Sequence, residues 1–125
     1  MRYNVVEGPS PGPLYSHAAN LQIYGNVFTG PSGGVYASHS ATLFNNVFHA
    51  MPEAVAGGQI VAHNNVFDLL SPSDQAFGAT TSLEESHNLF ATGTPTAGSF
   101  GGEPSFVDAA GGNFRLAADS DCVDA

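Results

Sequence analysis

The sequence predicts an all-β chain wound into a parallel β-solenoid of about five short coils. Three observations support this fold class. An Asn-Val-Phe-like triplet recurs four times at nearly constant spacing, and short extended segments rather than a helix precede each copy. Glycine contributes 15 residues and proline 8, which favours many turns and disfavours long helices. A period this short, built from brief strands, is typical of a coil in which each turn stacks on the last.

The repeated triplet predicts two ladders of identical side chains. The copies are Asn26-Val27-Phe28, Asn46-Val47-Phe48, Asn65-Val66-Phe67 and Asn88-Leu89-Phe90, with Asn4-Val5-Val6 as a degraded fifth. Because like residues stack in such a coil, the phenylalanines are expected to form a buried aromatic column. The asparagines are expected to form a turn ladder, in which amides bond from turn to turn and the backbone is left-handed.

Two extended segments precede each triplet, and both predict strands. The nearer segments, at 21–24, 41–44, 60–63 and 83–86, begin with alternation of apolar and polar residues in the first two copies. The earlier segments lie at 14–17, 35–39, 54–56 and 76–79, and loops rich in turn residues lie at 30–34, 51–53 and 70–74. Each repeat is therefore predicted to hold two or three short strands.

Two parts of the sequence resemble a known family. The phrases Phe44-Asn45-Asn46-Val47-Phe48 and His63-Asn64-Asn65-Val66-Phe67 resemble the right-handed parallel β-helix repeats of the pectate-lyase-like superfamily. Residues 103–116 and 120–125 resemble the segment that closes many bacterial members. The resemblance implies right-handed coils over residues 1–101 and a closing tail, 102–125, packed on the solenoid. Family members are commonly longer, so it also implies that this chain holds the last coils of such a protein.

Charge and hydropathy disfavour two classes of partner, nucleic acids and membranes. The chain has 2 basic and 11 acidic side chains, a net charge of −9, and its only cations are Arg2 and Arg115. A nucleic-acid partner is not expected, because no basic surface exists to meet phosphates. A membrane partner is not expected either, since no apolar run approaches the ~20 residues of a spanning helix. No signal peptide is recognised; the family resemblance suggests an extracellular or cell-surface location.

Catalytic residues are sparse. Superfamily members are often polysaccharide lyases or hydrolases, and the lyases usually recruit arginine or lysine as the base, often with calcium. Arg115 lies in the closing segment, where pairing with Asp108 or Asp119 is expected instead. Glu84 and Glu85 are adjacent in an extended segment and should point to opposite faces. The chain is predicted to be a non-catalytic structural or carbohydrate-binding module, with a polysaccharide lyase or glycoside hydrolase, or a fragment of one, as the alternative.

No metal site is predicted. Cys122 is the sole cysteine, so neither a disulfide nor a cysteine-based zinc site can form. His17 and His39 fall one repeat apart, but no third ligand accompanies them. His63 and His87 precede their triplets at offsets that differ by one, which predicts different faces. Calcium is a minor alternative, with Asp68, Asp74, Asp119, Asp121 and Asp124 as its candidate ligands.

The strongest functional signal is aromatic. Tyr15 and Tyr36 follow Leu14 and Val35, whose side chains should face inward, so both tyrosines are expected to point outward and align. Stacked exposed rings bind the apolar face of a sugar, whereas the alternative is that the rings only cover the wall of the solenoid. The predicted carbohydrate-binding residues are Tyr15, Tyr36, His17 and His39.

Assembly is the remaining expectation. An open end of a solenoid exposes unpaired backbone groups and invites strand addition. The tail can cover the C-terminal end, but no amphipathic helix precedes the first repeat to cover the other. Residues 3–6 are therefore expected to pair with a second copy, unless the parent protein continues upstream. Self-association through this end would make the protein a structural assembly element.

Overall fold

A computed structural model of the chain shows an all-β protein whose parallel sheets stack as a solenoid of about four turns. It describes residues 4–7, 14–31, 33–69, 71, 74–96 and 98–122, so Arg2, Tyr3 and Asp124 lie outside the described residues. Within these ranges no helix has the length and apolar character needed to cross a membrane. The strands are β1 (Val5–Glu7), β2 (Leu14–Ser16), β3 (Leu21–Tyr24), β4 (Val27–Thr29), β5 (Val35–Phe44), β6 (Val47–His49), β7 (Glu53–His63), β8 (Val66–Asp68), β9 (Gln75–Ser86), β10 (Leu89–Phe90), β11 (Phe100–Gly101), β12 (Phe106–Asp108) and β13 (Asn113–Leu116).

Two parallel sheets form the walls of the solenoid. Sheet A contains β2, β3, β5, β7 and β9, and sheet B contains β1, β4, β6, β8, β10 and β11. The registers place like residues opposite one another, for example Phe28 opposite Phe48 and Phe48 opposite Phe67. The predicted β-solenoid is confirmed, with about four turns where the sequence predicts about five. The Asn4-Val5-Val6 copy adds a strand to sheet B, but sheet A has only four layers among the described residues.

The strands of sheet A are longer than predicted. In three turns the two extended segments fuse into the single strands β5, β7 and β9, whereas residues 17–20 separate β2 from β3 in the first turn. The fusion is possible because irregularities in register absorb the extra residues. Between Ala37 and Ser40, β5 has two residues where β7 has one, which is the geometry of a β-bulge.

Two glycines of β7 make this bulge possible. A Cβ atom on Gly58 would collide with the carbonyl oxygen of His39, and one on Gly57 would collide with that of Ala37. Gly57 also has a φ of 123°, a conformation that other residues rarely adopt. The backbone of β7 therefore approaches the bulge closely. The bulge itself carries Ser38 and the exposed His39.

We expect Gly58→Ala to lower the free energy of unfolding by about 2–3 kcal/mol, because the added methyl group meets fixed backbone atoms. Urea denaturation would measure the loss. Gly101→Ala is the matched control, since a Cβ atom there has only the Pro95 side chain, at 3.2 Å, as a close neighbour. Equal losses for the two variants would contradict the close approach at Gly58.

The predicted aromatic column is confirmed. Ring centroids are separated by 5.1 Å for Phe28–Phe48 and 5.2 Å for Phe48–Phe67, with interplanar angles of 7° and 9°. Phe90 continues the column 5.2 Å from Phe67, tilted by 32°. All four rings are buried, and Phe77 of β9 packs edge-on against Phe67. This column is the centre of the hydrophobic core.

The asparagine ladder is also confirmed, with one correction. Each side-chain oxygen accepts hydrogen bonds from the backbone nitrogen and the side-chain nitrogen of the preceding copy, as in Asn26 to Asn46 at 3.0 and 3.2 Å. The ladder consists of Asn26, Asn46, Asn65 and Asn88, all buried, with Asn4 bonded to Asn26. The left-handed backbone, however, belongs to the residue before each ladder asparagine: Gly25, Asn45, Asn64 and His87. That residue turns the corner, so the next side chain points inward.

The ladder ends on a carboxylate. The Asn88 side-chain nitrogen donates to Glu85 Oε2 at 2.7 Å, and the Ser99 hydroxyl donates to the same oxygen at 2.6 Å. Glu85 lies opposite the fully buried Ala62 in the register, whereas Glu84 lies opposite Val61 and its side chain is 76% exposed. The two glutamates therefore point to opposite faces, as predicted. Glu85 accepts hydrogen bonds from Asn88 and Ser99 and does not form a catalytic pair of carboxylates with Glu84.

The tail forms an antiparallel hairpin, β12 and β13, that contacts sheet B. The rings of Phe106 and Phe114 pack edge-on against His49, with centroids at 6.1 and 5.2 Å. His49 Nδ1 also lies 2.7 Å from Asp68 Oδ2 of the neighbouring strand in sheet B. The His49 imidazole therefore contacts both the hairpin and the solenoid wall. The expected ion pair of Arg115 is wrong. No ion pair among the described residues links its exposed side chain to an acid of the tail.

Candidate functional site

Two tyrosines stack on the outside of sheet A. The register pairs Leu14 with Val35 and Tyr15 with Tyr36, and the two aliphatic side chains pack on the core side. Because side chains alternate along a strand, both tyrosines point outward. Their ring centroids are 4.4 Å apart at an interplanar angle of 21°, and Tyr15 is 61% exposed. Each ring covers one face of the other, and this pair, called the platform below, remains open to solvent at Tyr15.

A histidine-serine-histidine cluster borders the platform. His17 Nδ1 and His39 Nδ1 both lie 3.0 Å from the Ser38 hydroxyl oxygen. The His17 ring centroid is 6.1 Å from that of Tyr15. A serine hydroxyl has one proton and two lone pairs, so at most one of the two rings accepts from Ser38 and any other ring bonded to it donates. The four residues predicted from sequence therefore lie together, and the bulge of β5 supplies the serine that links the histidines.

The platform ends after two rings. Tyr36 pairs with Ala56 in β7, and the following strand has Gly78 close to the Ala56 methyl group. A Cβ atom on Gly78 would collide with the Glu53 carboxylate, so that carboxylate lies against this small-residue surface. The next layer thus offers no third ring. The small residues Ala56 and Gly78 therefore leave a step in the surface beside Tyr36, and the Glu53 carboxylate lies near this step.

A polar depression lies farther along the same sheet. It has a volume of about 390 Å³, and amide and hydroxyl side chains line most of it: Asn20, Gln22, Ser40, Thr42 and Gln59. The Ser40 hydroxyl accepts a hydrogen bond from the Asn20 backbone nitrogen at 2.9 Å, which fixes the turn between β2 and β3. Amides and hydroxyls both donate and accept hydrogen bonds. This surface can therefore satisfy hydroxyl groups without introducing charge.

A second cluster of the same kind was not predicted. His63 Nδ1 and His87 Nδ1 both lie 2.9 Å from the Ser86 hydroxyl oxygen, so the prediction that these histidines occupy unrelated faces is wrong. Glu84 Oε1 is 3.9 Å from His63 Nε2, which is too long for a hydrogen bond. No serine-histidine-acid relay is therefore formed. The recurrent Ser-His dipeptide, at 16–17, 38–39 and 86–87, is the sequence signal that could have revealed it.

The candidate calcium ligands are dispersed. Asp68 contacts His49, while Asp74 and Asp121 accept hydrogen bonds from the backbone nitrogens of Ser71 and Glu103. Within the described part of the chain, no three or more His, Cys, Asp or Glu side chains group as ligands for a metal ion. Asp124 lies outside that part. The arrangement therefore offers no support for a calcium site.

Comparison of the chain with protein-family models, with curated proteins and with solved structures finds no match. The parallel solenoid agrees with the β-helix architecture that the sequence resembles. Membership of the pectate-lyase-like superfamily stays a prediction.

Proposed function

We propose that this protein is a non-catalytic carbohydrate-binding module whose binding face is the Tyr15–Tyr36 platform. The stacked, outward-facing geometry of these two rings carries the proposal. Aromatic faces pack against the C–H face of a sugar ring. Because the parallel sheet holds both rings in place before binding, little conformational entropy is lost on association.

The neighbouring groups suit a neutral sugar. His17, Ser38 and His39 can donate and accept hydrogen bonds at the edge of the platform. The Glu53 carboxylate lies near the step beside Tyr36, and the whole chain carries a net charge of −9. An anionic polymer such as a polyuronate would be repelled by this field. The favoured ligand is therefore an uncharged polysaccharide or oligosaccharide.

We expect the double variant Tyr15→Ala/Tyr36→Ala to weaken binding to a neutral glycan by about fivefold to 150-fold, because each lost aromatic contact contributes roughly 0.5–1.5 kcal/mol. A glycan array would identify the ligand, and isothermal titration calorimetry would measure the affinity. Neutral polysaccharides and polyuronates would be compared in the same buffer.

Tyr24→Ala is the matched control, since Tyr24 stacks on Phe44 at 4.7 Å elsewhere on sheet A. Binding that falls equally in the control and the double variant would contradict the assignment of the platform. Release of unsaturated or reducing sugar would favour the lyase or hydrolase alternative instead. A complete lack of glycan affinity, with a solution mass above the 12.8 kDa of one chain, would favour an assembly element that pairs through its N-terminal end.

A further inference from the structure

A groove runs between a corner of the solenoid and the tail hairpin. Its volume is about 280 Å³. One rim consists of Asn45, Asn64 and His87, and the opposite wall includes Phe114, Leu116 and Cys122. The floor is formed by aliphatic residues of the repeated triplets in sheet B. The groove shares no lining residue with the tyrosine platform.

The rim presents a row of polar groups fixed by the backbone. Asn45, Asn64 and His87 occupy the same corner in successive turns, with φ values of 56°, 56° and 55°. All three are exposed, and turns are spaced by roughly 4.8 Å. Within the described part of the chain, neither the Asn45 nor the Asn64 side-chain amide has a hydrogen-bond partner. Each amide therefore has two donor hydrogens and an acceptor oxygen available to a ligand.

The opposite wall is apolar and uncharged. Phe114 is held by its edge-on contact with His49, so the wall is anchored to sheet B. No Asp, Glu, Lys or Arg is among the residues that line the groove. Burial raises the pKa of the Cys122 thiol, to which the nearby Asp121 carboxylate adds, while a hydrogen bond with Ser120 opposes the rise. Apart from Cys122 and His87, every side chain that lines the groove is uncharged at any pH.

We propose that this groove is a second binding site, which takes a single neutral sugar ring. An apolar wall facing a row of amides matches a pyranose, which has a C–H face and a hydroxyl edge. The groove volume lies just below the roughly 300–1,000 Å³ of small-molecule sites, which suits one ring and not a polymer. The ring packs its C–H face on Phe114 and Leu116, and its hydroxyls bond to the Asn45 and Asn64 amides.

Cys122 provides a direct test, because it is the only cysteine of the chain and lines the groove. The rate at which iodoacetamide alkylates the thiol would be measured with a panel of free neutral monosaccharides, with oligosaccharides that end in the same sugars, and with galacturonate. We expect saturable protection by a neutral sugar and none by galacturonate. Protection by free monosaccharides identifies a free-sugar site, and protection by oligosaccharides alone identifies a site for a glycan end.

The variant Asn45→Gly/Asn64→Gly removes both amides and suits the left-handed backbone, so the fold should be retained. We expect it to weaken protection by about tenfold or more. Tyr15→Ala/Tyr36→Ala should leave protection unchanged, so this test fails or succeeds independently of the platform. The proposal is overturned if no neutral sugar in the panel protects Cys122, or if protection is undiminished in the glycine variant while thermal melting shows an intact fold.

Discussion

Replacing Asn65 with alanine is expected to lower the free energy of unfolding by about 3–5 kcal/mol, a large share of the ~5–15 kcal/mol available to a domain. The Asn65 side-chain oxygen accepts from the backbone and side-chain nitrogens of Asn46, both at 3.0 Å. Its side-chain nitrogen is within 3.1 Å of the Leu43 carbonyl oxygen and of Asn88 Oδ1. Alanine leaves these groups without a partner where water does not reach, since Asn65 is 1% exposed.

Urea denaturation monitored by far-UV circular dichroism would measure this loss. Asn64→Gly is the matched control, because it removes the adjacent exposed amide at a left-handed position that suits glycine. The control should change stability by less than about 0.5 kcal/mol. A similar, small effect for both variants would show that the ladder contributes little to stability.

Phe48→Ala is expected to destabilise the protein by about 3–5 kcal/mol, since it leaves a cavity in the middle of the core. Phe48 is fully buried between Phe28 and Phe67, with near-parallel rings on either side. The solenoid cannot collapse easily around the gap, because strands in register hold the neighbouring turns at a fixed spacing.

Thermal and urea unfolding of Phe48→Ala and Phe48→Leu would separate the cavity from the loss of stacking. Leucine keeps most of the apolar volume, so we expect it to lose about half as much stability or less. Equal losses for the two variants would point to ring stacking and not cavity formation as the dominant contribution.

The phenylalanine and asparagine ladders were predictable because they depend on the recurrence of Phe and Asn at nearly constant spacing, which the sequence shows directly. In a parallel stack each turn repeats the environment of the last, so a recurrent Phe must be buried in a column and a recurrent Asn must meet its own copies. The position of the left-handed residue was not predictable in the same way. Of Gly25, Asn45, Asn64 and His87, which share this conformation, only Asn45 and Asn64 share an identity, so no single residue type marks the position in every turn.

The candidate sites also contain some features that repeat spacing predicts and others that it does not. Tyr15 and Tyr36 were predicted to align because the inward direction of Leu14 and Val35 fixes theirs. The link from His17 to His39 through Ser38 depends on a bulge, which shifts the facing of side chains by one position, so the recurrent Ser-His dipeptide marks these residues but not their contact. The groove beside Asn64 depends on where the tail packs, a long-range contact that repeat spacing does not specify.

The hydrogen bond from Asn88 to Glu85 gives the ladder a direction as well as an end. From Asn4 to Asn65 a side-chain N–H donates to the next copy toward the C-terminal end, and Asn88 donates to the Glu85 carboxylate, so this series of bonds stops at a negative charge. The amides of Asn46, Asn65 and Asn88 also donate back to carbonyl oxygens of the preceding turn. An ionised carboxylate accepts hydrogen bonds and donates none, so Glu85 cannot pass the series on to another amide. Duplication of a coil on the N-terminal side of Asn88 would therefore preserve the asparagine ladder. A coil added after Glu85 would find no amide N–H to donate to its own asparagine.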